Sequence, residues 1–217
     1  MLLSILRDRR YRKGVIEPLT AGLLTAIMIA VSITVFVWGE PFLRKSEVIS
    51  VLENSEKFMN QLSEKIKDVV NNQPGSRSAV EMPSPPSPAI KMTLLFDGTF
   101  KIFSLEVSDT AGTIYSPGGL ISLSKNACTP EEGIANEDEP QTICVRSDKV
   151  GENYVTTYTL KFIQLNTEGV QSYKIDLTGT SNTVGEGHSI RLDNRGTKTE
   201  SIDGKEVLKT KIGVEIR

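Results

Sequence analysis

Few side chains in this 217-residue sequence are equipped for chemistry. His188 is the one histidine, so a paired-histidine or cysteine–histidine metal site cannot be assembled. It stands in Gly185-Glu186-Gly187-His188, a stretch that reads as a turn and has too few glycines for a dinucleotide loop. No G-x-S-x-G nucleophile motif occurs. Glu131, Glu132, Glu137, Asp138 and Glu139 form an acidic run without the Asp/Asn spacing of a calcium loop, which leaves a solvated loop as its reading. No catalytic, cofactor-binding or metal-binding residue is therefore expected, and the chain is read as a non-enzyme. Cys128 and Cys144 flank the acidic run. In an oxidising compartment they are expected to form a disulfide, worth about 3 kcal/mol by loop closure.

The element that decides most is the run at residues 15–38, VIEPLTAGLLTAIMIAVSITVFVW. As a helix it rises about 36 Å, enough to cross a hydrocarbon core of about 30 Å. Its only charge is Glu17. Arg7, Arg9, Arg10, Arg12 and Lys13 precede it, a cluster that stays on the cytoplasmic side and sends the rest of the chain across the membrane. The run is longer than the apolar core of a cleaved secretory signal, and Trp38 suits a membrane interface. Gly39, Glu40 and Pro41 mark its expected outer end.

A basic leader closing on Lys13-Gly14, with an apolar helix directly behind it, resembles the layout of bacterial type IV pilins, archaeal pilins and archaellins. The segment R-K-G-V-I-E-P-L most resembles the archaeal versions, and the resemblance extends over residues 7–72. It implies a prepilin-type peptidase as a partner. Arg12 and Lys13 would be recognised, the cut would follow Gly14, and Val15 would become the mature N-terminus. It also implies self-association through the N-terminal helices, with Glu17 pairing with a neighbouring subunit's free amino terminus. Many pilins carry Glu as the fifth mature residue; here Glu17 is the third and Leu19 the fifth. On physical grounds alone, Glu17 and Pro18 suit a first helical turn, where a carboxylate meets the helix dipole and a missing N–H costs nothing.

Beyond the run, Ser46 reads as an N-cap. Val48, Leu52, Met59, Leu62, Ile66 and Val69 then recur at helical spacing, with Leu52, Met59 and Ile66 a heptad apart. Residues 71–88 are rich in Pro, Ser and Asn and read as a spacer. From Lys91 the pattern becomes that of strands: 100–107 after Asp97-Gly98, then 119–124, 142–146, 154–165, 170–177 and 207–216. Turn signals recur at 116–119, 166–169, 194–196 and 203–204.

The expected fold class is α+β: an N-terminal transmembrane helix plus an amphipathic helix, followed by an antiparallel β-sandwich-like domain. The expected divisions are a leader at 1–14, a membrane helix at 15–39, an amphipathic helix at 46–72, a linker at 73–90 and an extracytoplasmic β domain at 91–217 that folds independently. With the leader bases left inside, the exposed part is acidic, and no basic stripe points to nucleic acid. Two functions are compatible with this reading. One is a pilin-like cell-surface structural subunit, in the membrane or in a surface filament. The other is a stand-alone, single-pass, membrane-anchored binding or adhesion module, or a secretion-machine accessory.

Overall fold

The computed structural model describes residues 8–129, 131–167, 171–185, 187–202 and 205–217, with side chains from Pro18 onward except at Ile202. It divides into two compact units, the first ending at Lys45 and the second spanning Ser46–Arg217.

One helix, α1 (Asp8–Asn71), runs for 64 residues with Pro18 and Pro41 inside it. The break expected at residues 39–45, and with it the Ser46 N-cap, is absent. Pro41 removes one backbone bond and Gly39 adds backbone entropy, together about 4 kcal/mol of lost helix preference. Only one bond of the ladder is lost, and the turns on either side continue. The Glu40–Arg44 ion pair, 2.7 Å long, bridges the same turn, although its exposure makes it a minor contributor.

The second unit adds twelve strands among the described residues. They are β1 (Arg77–Glu81), β2 (Lys91–Asp97), β3 (Ile102–Asp109), β4 (Leu120–Ser122), β5 (Glu132–Ile134), β6 (Gln141–Val150), β7 (Asn153–Phe162), β8 (Gln164–Asn166), β9 (Gln171–Thr178), β10 (Asn182–Val184), β11 (Ser189–Ile202) and β12 (Lys205–Ile216). They form two six-stranded sheets, ordered β1-β11-β12-β9-β8-β5 and β10-β2-β3-β7-β6-β4. Every pairing in the second sheet is antiparallel. The first sheet contains two parallel pairings, β12 with β9 and β5 with β8. The α+β class with a mostly antiparallel, sandwich-like β part is thus as the sequence implies.

The core differs from a head standing apart from a stalk. Leu52, Met59, Leu62 and Ile66 of α1 belong to one buried cluster with Leu94 and Phe96 of β2, Phe103 and Leu105 of β3, Tyr158 and Leu160 of β7, and Leu192 and Ile212 of β11 and β12. Phe96 and Phe103 pack with ring centroids 4.9 Å apart. The heptad-spaced stripe is therefore covered by strands of its own chain. The presumed spacer also takes part: β1 pairs with β11, and Val80 and Met82 are buried. Alternating apolar residues in RSAVEM outweigh the surrounding Ser and Pro, because one sheet face still needs covering. The expected division into an amphipathic helix, a spacer and an independent domain at 91–217 is replaced by one unit that begins within α1.

Two polar contacts fasten α1 to the sheets. At its C-terminal end, Asn194 of β11 donates through Nδ2 to the carbonyls of Val69 (2.9 Å) and Asn72 (3.0 Å). Its backbone exchanges bonds with Gly75 and Ser76. These bonds satisfy carbonyls that a helix end leaves without partners. The Asn194–Gly196 signal, expected as a turn, is instead a bulge within β11: the register with β12 shifts between Asn194 and Thr197, and Gly196 takes φ +91°.

Farther up the helix, the fully buried Tyr158 donates its O–H to the Leu52 carbonyl at 2.9 Å. Burial first, then its hydroxyl neighbour Tyr115, push the Tyr158 phenol far above its ordinary value. An unfolded tyrosine loses its proton near pH 10 while the folded one keeps it, so Tyr158 lowers stability as pH rises above that point, by roughly 1.4 kcal/mol per pH unit. Tyr158→Phe is expected to lose about 1 kcal/mol at neutral pH and to show a shallower loss above pH 10. Urea unfolding of both proteins at pH 7, 10 and 11 checks this; parallel pH profiles would refute it.

Candidate membrane segment and disulfide loop

Within the first unit the large apolar side chains from Leu19 to Leu43 are 54% to 80% exposed. A contiguous apolar surface of this extent is foreign to water-exposed helices. Hydroxyl groups in the segment are internally satisfied. Thr25, Ser32 and Thr34 each donate to the carbonyl four residues earlier, at 2.8 Å. That removes the main cost of placing hydroxyls in hydrocarbon. The helix is long and apolar enough to cross a membrane.

Backbone from Asp8 onward is helical, so the Gly14–Val15 junction lies within α1. The side chains of Arg12, Lys13, Val15 and Glu17, on which the peptidase and subunit-pairing roles rest, lie outside the described residues, as does the first part of the leader. The turn expected at 203–204 also lies outside them, as does part of that at 166–169.

Cys128 and Cys144 are bridged, with their Cα atoms 5.8 Å apart. The intervening acidic loop is fastened by several further contacts. Buried Asn126 donates through Nδ2 to the carbonyls of Glu139 (2.5 Å) and Gln141 (3.2 Å). Asp138 accepts the Ile134 N–H at 2.7 Å, Glu139 accepts from Gln141 at 2.6 Å, and Glu132 accepts from Asn166 at 2.8 Å. These carboxylates serve the loop's own geometry. Among the described residues no cluster of three or more His, Cys, Asp or Glu side chains is placed to hold a metal. His188 follows a turn, with Nδ1 3.0 Å from the Gly185 carbonyl. Nothing in the sequence pattern singles out Asn126, and Asn194 stands out only as the start of a turn signal. Their roles depend on partners that only the fold brings together.

Cys128→Ala combined with Cys144→Ala is expected to lower the unfolding free energy by about 3 kcal/mol. Denaturant titration of the detergent-solubilised chain measures it. An unchanged midpoint would mean that the Asn126 contacts alone hold the loop.

Comparison with protein-family models, curated proteins and solved structures found no match to this chain.

Proposed function

We propose that the chain is a pilin-like cell-surface structural subunit, held in the membrane or assembled into a filament through its N-terminal helix, with the β unit outside the cell. One observation carries this reading. A single uninterrupted helix supplies first an exposed apolar segment and then the core stripe of a β unit. The basic residues before that segment favour a cytoplasmic N-terminus. The R-K-G-V-I-E-P-L junction supports removal of the leader after Gly14. On this reading Val15 is the mature amino terminus and Glu17 is its partner on a neighbouring helix. N-terminal sequencing of protein purified from its native membrane tests the proposal, together with electron microscopy of sheared surface material. Val15 as first residue, in filaments, is the expected result. An intact Met1 on a dispersed membrane protein would support the stand-alone anchored binding module instead.

A further inference from the structure

Where β8 stops, one side of β9 opens. β8 pairs with Ser172 and Tyr173 of β9, so among the described residues β9 has no strand neighbour on that side from Lys174 onward. The gap between this edge and β7 of the other sheet is a cleft of about 210 Å³. Lys101, Lys161, Lys174 and Glu131 line it, with Phe100 and Phe162 among its apolar walls. Acidic residues outnumber basic ones in this unit, so three lysines around one small cleft run against its overall charge.

The lysines are not equivalent. Lys101 is paired with buried Asp176. It also sits at φ 60°, a left-handed position that a hairpin would ordinarily give to glycine. Asp97 fixes the turn by accepting the N–H groups of Thr99 and Phe100 at 2.8 and 3.1 Å. That turn holds Phe100 75% exposed at the lip of the cleft. Lys161 and Lys174 have no carboxylate within ion-pair distance among the described residues, so their ammonium groups are available to a ligand. A free strand edge offers backbone hydrogen-bonding groups beside them.

We propose that this cleft binds a carboxylated sugar unit. Lys161 and Lys174 would take the carboxylate as point charges, Glu131 and the open edge of β9 would meet hydroxyl groups, and the Phe100 ring would cover the apolar face of the sugar ring. The volume suits a single ring rather than a longer segment. This site does not depend on whether the subunits assemble.

The test is a titration of the full chain in detergent micelles with a short oligogalacturonate, followed by saturation-transfer NMR. Saturable binding is expected, roughly tenfold weaker in the Lys161→Gln/Lys174→Gln variant and weakened in Phe100→Ala. The neutral galactose oligomer is expected to bind at least as poorly as the double variant does. Circular dichroism confirms that the variants keep the fold, since all three side chains lie at the surface of the cleft. Equal binding of the neutral oligomer, no effect of the double substitution, or displacement by inorganic phosphate as effective as by free galacturonate would overturn the proposal.

Discussion

A chain lacking residues 1–88 is expected not to fold, whereas one lacking residues 1–45 is expected to fold and remain soluble. The shorter deletion stops at the boundary of the second unit and removes the exposed apolar segment. The longer one also removes Val48, Val51, Leu52, Phe58, Met59, Leu62, Ile66 and Val69 of α1, Val80 of β1 and Met82, all of them buried. Each such side chain contributes about 1.5–3 kcal/mol by burial, so their sum exceeds the roughly 5–15 kcal/mol of net stability a domain has. The strands that remain would expose their inner faces and aggregate. Size-exclusion chromatography and thermal unfolding of residues 46–217 and 89–217 distinguish the two. A cooperative transition in residues 89–217 would refute the shared core. A gentler probe is Leu62→Ala, expected to cost about 2–5 kcal/mol, since this side chain is fully buried in the cluster.

Two arginines in the middle of the apolar segment should release the protein from the membrane while leaving the β unit intact. Ile27 lies near the centre of the run and is 54% exposed, and Ala30 is exposed as well. An arginine at the centre of a spanning helix costs about 2.5–3.5 kcal/mol on insertion scales, so Ile27→Arg with Ala30→Arg adds roughly 5–7 kcal/mol against insertion. Neither residue belongs to the buried cluster of the second unit, so its unfolding midpoint is expected to stay unchanged. Carbonate extraction of membranes gives the readout. Retention of the double-arginine protein in the pellet would overturn the expected release.

Much of this architecture is legible residue by residue. Asp97-Gly98 announces the β2–β3 hairpin, and the Lys/Ile/Val alternation at 207–216 announces β12, because a two-residue period leaves no other reading. The stripe from Val48 to Val69 identifies the buried face of the helix, and the cysteine pair identifies the bridge. Other features were hidden. Gly39-Glu40-Pro41 has the composition of a helix end, yet the cost of continuing is a few kcal/mol at one turn, and the ladder on both sides absorbs it. β11 is obscured by Asn194-Arg195-Gly196, which has turn composition but serves as a bulge, so a 14-residue strand carries a loop signal at its centre. β1 is obscured by its Ser- and Pro-rich surroundings, because its strand character comes from pairing with β11, more than a hundred residues away. The lysine cleft was equally hidden, since Lys101, Lys161 and Lys174 approach one another only through contacts between the two sheets.

The amide of Asn194 has a mechanical meaning. A pull applied through α1 meets the shared core and the Tyr158 bond along the helix, and at the helix's C-terminal end it enters the sheets by two routes. One is the covalent path from Asn72 into β1, a five-residue strand at the sheet edge. The other is the Asn194 side chain, which ties the last turn of the helix to β11, a strand bonded to β1 on one side and β12 on the other. Without the second route the load at that end would fall on the edge strand, whose few bonds could open one after another like a zipper. With it, tension is shared with the interior of the sheet, where the ladder joining β11 and β12 must yield as a block. A chain built this way resists unravelling from its helix inward.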